Sequence, residues 1–306
     1  MSPIILLFNF VIFPGFLFSA VVGLFLTWVD RKVTARVQMR VGPPWYQPYA
    51  DFLKLLLKET IIPQGASKVL FFLGPLLGVV SMSIFAVMLF YMNFNPDKTF
   101  VGDLIVMIYL LALPPIGVII GASASKNPLA SVGASREMTQ YFSYELPFLI
   151  CVAIVIVKSG GSIRFGEIVL AQQNTAPFLY SISGVIAAIV FLLSAQAKLG
   201  YVPFDAPEAE QEIMAGPYIE FSGVALAMYK LSRAMMLFLL PLFIISLLWG
   251  GFTSWWAILK FLLLIVLIVL IKNTNPRLRI DQTLKFMWLG LGGLSIIGLI
   301  LAFYKL

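Results

Sequence analysis

"YVPFDAPEAEQEIMAGPYIEFSG" (Tyr201–Gly223) holds Asp205, Glu208, Glu210, Glu212 and Glu220, five of the chain's 14 acidic residues. Phe178–Ala197 lies before it without a charge, and Ser222–Leu248 follows as a second long apolar segment. Crossing the hydrocarbon core of a bilayer takes about 20 mostly apolar residues. The acidic stretch therefore reads as a connection between two membrane spans, and the whole chain follows the same pattern.

Composition agrees. Of 306 residues, 60% are hydrophobic and 11% charged, with a mean hydropathy of +0.97. Soluble domains carry about a quarter charged residues. The chain has no histidine and one cysteine, Cys151. That removes histidine-ligated haem, a histidine proton relay, an intramolecular disulfide and a cysteine-ligated iron–sulfur cluster. Any redox centre is expected on another chain. The net charge is +7, but the basic residues cluster beside apolar segments, which reads as an orientation signal and not as nucleic-acid binding.

Eight spans are expected: Ile4–Trp28, Val69–Met92, Leu104–Gly121, Met138–Val157, Phe178–Ala197, Ser222–Leu248, Phe252–Ile271 and Phe286–Phe303. The fold class is thus an all-α integral membrane protein, a single polytopic domain over residues 1–306. Fourteen of the 21 Lys and Arg residues fall in the connections after spans one, three, five and seven, at about 29–68, 122–137, 198–221 and 272–285. The positive-inside rule puts those connections in the cytoplasm of a cell membrane and both termini outside. "PYADFLKLLLKETIIP" (Pro48–Pro63) has the spacing of an amphipathic helix on the membrane surface, in contact with lipid. Pro207 suits the first turn of a short acidic cytoplasmic helix that Gly216-Pro217 ends, with Glu208 and Glu212 on one face.

Charges inside spans are costly and usually face a bundle interior or a wet cavity. Glu145 lies in span four, Lys230 and Arg233 share a face of span six, and Lys260 lies in span seven. Crowded carboxylates raise one another's pKa and can hold and pass protons. The acidic connection and these intramembrane charges are candidates for a proton or charge relay. The competing readings are a solvated acidic loop docked on a basic partner, a neutralising ion pair for Glu145, and a snorkelling Lys260. Asp103 reads as an interfacial helix cap. "RKVTARVQMRVGPPW" (Arg31–Trp45) reads as a membrane-surface anchor or a docking site for a soluble partner. No P-loop, GxGxxG, CxxC or HExxH pattern occurs.

"VPFDAPEAEQEIMAGPYIEFSG", "ASREMTQYFSYELPF" and "RVGPPWYQPYADFLKLLLKE" resemble the membrane subunit of respiratory complex I that closes the quinone site. They resemble more closely its counterpart in energy-converting [NiFe] hydrogenases and formate hydrogenlyase, over about Asp30 to Trp288. The resemblance implies a non-catalytic coupling subunit of an ion-translocating respiratory complex. Its partners would be hydrogenase-like large and small subunits on the cytoplasmic side and antiporter-like membrane subunits. A NiFe centre and iron–sulfur clusters would sit in those partners, with no cofactor in this chain. It further implies a relay through Glu145, Asp205, Glu208, Glu210, Glu212, Glu220, Lys230, Arg233 and Lys198. Redox-arm docking would use Arg31, Lys32, Arg36, Arg40, Arg136, Arg277 and Arg279. The complex would evolve hydrogen from reduced ferredoxin or, in a close relative, reduce polysulfide or sulfane sulfur. Several positions depart from the quinone branch. The link from Gly42-Pro43 to Asp51 is short, and Arg233 stands where complex I usually has a glutamate. Lys198 replaces a glutamate common to both branches, and Tyr201 stands at a position basic in both. Lys230 and "NTNPRLRID" (Asn273–Asp281) resemble the hydrogenase branch. The alternatives are a complex I subunit with a quinone site, a stand-alone secondary transporter, and a passive anchor.

Overall fold

The computed structural model describes residues 3–304; the side chains of Pro3, Leu6 and Glu210 lie outside the described set. Among the described residues every regular element is helical. The helices are α1 (Pro3–Val11), α2 (Phe16–Val37), α3 (Gln47–Leu57), α4 (Lys68–Phe94), α5 (Asp103–Ala124) and α6 (Pro128–Lys158). They continue as α7 (Phe165–Asn174), α8 (Ile182–Lys198), α9 (Glu210–Ile213), α10 (Gly223–Leu248), α11 (Trp256–Thr274) and α12 (Ile280–Phe303). Seven helical segments are long and apolar enough to cross a membrane, and α8 is a shorter apolar helix. The chain is an all-α integral membrane protein.

Helix α10 is the axis: almost its whole length is buried. Helices α2, α4 and α5 pack around one side of it, and α6, α8 and α12 form a second group. Where α4 meets α5 the backbones nearly touch. A Cβ on Gly117 would come within 2.4 Å of the Gly74 carbonyl oxygen, so this crossing needs glycine. Leu7–Val11 and the start of α2 are separated by a break at residues 12–15 around Pro14, whose ring cannot continue a helix.

Several boundaries differ from the sequence reading, among them the first span, which breaks at residues 12–15 and continues past Trp28 to Val37, and the last, which starts at Ile280 before Phe286. Helix α6 begins at Pro128, not near Met138. Asn127 caps it by accepting from the Leu129 N–H at 2.8 Å, and Pro128 takes the first turn. Arg136 and Glu137 are therefore helical. The connection after α6 contains α7, whose first N–H, that of Phe165, donates to the buried Asp103 carboxylate at 2.7 Å. Asp103 thus caps a neighbouring helix across the fold. Helix α11 starts only at Trp256, so Lys260 lies in its N-terminal turns and not mid-span; it donates to the Trp249 carbonyl at 2.8 Å, at the C-terminus of α10. Positive charge is favourable at that end of a helix.

Candidate functional site

The acidic connection does not form one helix. It runs through a 3₁₀ turn (Ala206–Glu208), the single turn of α9 and a second 3₁₀ turn (Gly216–Tyr218). Two prolines and the positive-φ Gly216 break the segment up. Glu208 and Glu212 consequently leave the shared face expected of them. Glu208 turns inward to Arg233 of α10, whose Nη1 lies 2.6 and 2.8 Å from its two carboxylate oxygens. Glu212 turns outward to Arg136 at 2.5 Å. Asp205 pairs with Arg277, and Glu220 accepts from the Asn127 amide. The side chain of Glu210 is outside the described set.

Arg233 is fixed from several directions. Its Nε donates to the Leu199 carbonyl at 2.7 Å and Nη2 to the Gly200 carbonyl at 2.6 Å. Gly200 holds φ +61°, and a Cβ there would lie 2.9 Å from Nη2, so only glycine lets the guanidinium seat. The Tyr201 ring stands between two cations, 5.3 Å from the Arg233 guanidinium and 4.5 Å from Lys272 Nζ. Lys272 in turn pairs with buried Asp30 at 2.6 Å. Burial, and then the Asp30 carboxylate hydrogen-bonded to it, hold the Tyr201 phenol well above its ordinary pKa. Tyr201 therefore stays neutral and bridges the two cations as an aromatic face.

Deeper between α6 and α8, Lys198 pairs with Glu145 at 2.5 Å. The Lys198 side chain has no exposed surface, and its Nζ lies 4.8 Å from the Tyr144 ring centre and 4.6 Å from that of Phe148. Gln140 donates to the Ala197 and Phe204 carbonyls, at 3.1 and 2.6 Å, and ties this pair to the acidic connection. Several buried side-chain atoms here lack a hydrogen-bond partner: Gln140 Oε1, Tyr144 OH, Ser194 Oγ, Gln196 Oε1 and Thr283 Oγ1. All five lie on α6, α8 or α12. Buried polar atoms are nearly always satisfied, so internal water fits these positions.

Three cavities meet at Glu208 and Arg233, which line all of them. The first, about 380 Å³, lies between α2, α3 and α10. The second, about 30 Å³, is lined by Glu137 and Lys198 and has room for about two waters. The third, about 410 Å³, is bounded by Tyr218, Phe221 and Tyr229. The Glu208–Arg233 pair is thus a shared wall between the basic end of the bundle and the interior where Lys198 and Glu145 sit. The sequence reading missed Asp30, Glu137 and Lys272. Asp30 and Lys272 border their predicted spans and passed as end charges, and Glu137 fell into a predicted loop. The quoted motif around Glu137 was the available signal.

Of the expected docking residues, Arg31, Arg136, Arg277 and Arg279 are engaged within the chain, with Asp51, Glu212, Asp205 and Asp281. Lys32 is half-buried, while Arg36 and Arg40 are exposed at the end of α2 and just past it. Lys230 lines the first and third cavities but not the second. Among the described residues no three His, Cys, Asp or Glu side chains converge as a metal site requires, and Cys151 is buried. These residues do not fit a NiFe centre or an iron–sulfur cluster.

Helices of membrane length enclosing ion-paired charges define a polytopic membrane protein with a charged interior. A family model described as NADH dehydrogenase matches residues 9–303, and the chain belongs to that family. It is 35% identical to a subunit of the NADH-quinone oxidoreductase of Geobacillus kaustophilus, with 94% of this chain and 91% of that protein covered. It is 36% identical to the corresponding protein of Bacillus thuringiensis, covering 92% and 90%. Its fold matches a chain of the membrane-bound sulfane sulfur reductase, described as an archaeal respiratory membrane complex. There the TM-score is 0.84 at 30% identity, with 94% and 96% covered.

Proposed function

We propose that this chain is the coupling subunit of a multi-subunit, ion-translocating respiratory complex of the hydrogenase type. Its basic end faces the cytoplasm and seats a redox arm, by Lys32, Arg36 and Arg40 together with the rim pairs Arg136–Glu212, Arg277–Asp205 and Arg279–Asp281. NiFe and iron–sulfur groups belong to that arm, and antiporter-like subunits lie alongside in the membrane. The observation that carries the reading is the position of Glu208–Arg233 on the wall of all three cavities. A change of charge in the arm reaches this pair first, through Asp205 and the turns holding Glu210, Glu212 and Glu220. It passes to Glu137, and then to Lys198 and Glu145. The Glu208–Arg233 pair is half-buried, so added charge in the arm acts on it through less screening water than at the open surface.

A second reading has an observation in its favour. The first cavity lies where a quinone chamber would open, beneath the first connection, although the short link argues against a quinone there. Its lining is rich in charge, whereas pockets for apolar ligands are mostly apolar. Purifying the tagged complex in mild detergent separates the readings. With reduced ferredoxin as donor, the proposal expects reduction of protons or of polysulfide. Quinone reduction instead would assign the chain to the quinone branch, and an active chain purified without partners would overturn both.

A further inference from the structure

We propose that Lys230 is the anchoring cation of a site for a phosphate-type oxyanion, open to the first and third cavities. Charge pairing around the first cavity leaves this residue over. Its lining holds four carboxylates and five cationic side chains. Each carboxylate has its own cation within ion-pair distance, in the four pairs Asp30–Lys272, Asp51–Arg31, Asp205–Arg277 and Glu208–Arg233. Lys230 is the fifth cation, and among the described residues no ion pair contains it. The nearby Asp51 feels its charge but is held by Arg31 and Gln47. The third cavity repeats the imbalance: Glu208 and Arg233 satisfy each other, and Lys230 is again the surplus cation.

The surplus cation is accessible: Lys230 is exposed and lines both cavities. Lys230 is seven residues past the start of α10, about 10 Å along the helix. An exposed ammonium is solvated by water, so an oxyanion entering either cavity meets it with no carboxylate to displace. Basic pockets between membrane helices take anionic lipid headgroups, and oxyanions form strong charge-assisted hydrogen bonds with ammonium groups. The surrounding surface suits an amphiphile: Leu24, Phe52 and Leu55 line the first cavity, and Phe221 and Leu226 the third. The bound group is a phosphate, either of a lipid headgroup or free in solution.

Lysine acetylation followed by mass spectrometry tests this on the full wild-type chain, delipidated in maltoside micelles. Exposed Lys54 on α3 serves as the internal control. Phosphatidylglycerol, diacylglycerol with the same tails, and inorganic phosphate are added separately. With ligand at ten times its dissociation constant, labelling of Lys230 relative to Lys54 should fall about tenfold. Protection by phosphatidylglycerol but not inorganic phosphate assigns the site to a lipid headgroup. Protection by inorganic phosphate assigns it to a free anion. Equal protection by diacylglycerol means that tails merely cover the lysine and overturns the proposal, as does no protection at all. Protection appearing only in the assembled complex hands Lys230 to a partner's carboxylate and also overturns it. In parallel, Lys230→Gln should lose the bound phosphatidylglycerol seen by native mass spectrometry.

Discussion

Lys198 shows what one substitution demands of its surroundings. A fully buried ammonium is tolerable only with a paired counter-charge, and Glu145 supplies it at 2.5 Å. Lys198→Met would leave Glu145 buried and unpaired, and stability should fall by about 3–5 kcal/mol. The double variant Lys198→Met, Glu145→Leu should recover most of that loss. Thermal unfolding in detergent of the two single variants and the double variant checks the coupling. Asp51 gives a prediction in pH. Burial pushes its carboxyl up, but hydrogen bonds from Arg31 and Gln47 and the charges of Arg31 and Lys230 outweigh it and hold the pKa below its ordinary value. The folded value lies under the unfolded one, so its contribution is present above about pH 4 and is lost as pH falls through the folded value. Hydrogen exchange of α3 should therefore be flat from about pH 5 to 8 after correction for intrinsic rates and rise below about pH 4. Asp51→Asn should remove that step.

Helices were more legible than their ends. Seven of the eight expected spans came through as helices of membrane length and the fifth as the shorter apolar α8, because long apolar runs leave few other structures in lipid. The ends did not, because polar residues such as those of "ASREMTQ" extend a helix as readily as they end a span. Asn127 and Pro128 were the cap that decided it. That shift hid Glu137, which the structure places on the wall of the second cavity. The acidic helix failed for the opposite reason: its i, i+4 spacing was sound, but its prolines and Gly216 favour short turns. Asp103 acts at the same scale. Asp103→Leu should uncap α7 and cost about 1–2 kcal/mol, read as faster exchange at Phe165–Asn174 with α8 unchanged. If α8 loosens equally, Asp103 is not a local cap.

Across the whole molecule the charged groups form a path that no stretch of sequence displays. Asp30 on α2 meets Lys272 on α11, Tyr201 bridges Lys272 to Arg233 on α10, and Glu208 and Glu137 lead on toward Lys198 and Glu145. Family resemblance pointed to several of these side chains. Their pairing could not be read from the sequence, since Lys272 and Asp30 are 242 residues apart. The central claim is that this path couples redox chemistry to ion movement. The most direct test is Glu145→Gln in the purified complex reconstituted into vesicles, measuring ions moved and electrons transferred in the same preparation. The account predicts that electron transfer stays within about twofold of wild type while the ion-to-electron ratio falls at least about tenfold. An unchanged ratio at unchanged turnover would contradict it and leave Glu145 as a structural partner of Lys198.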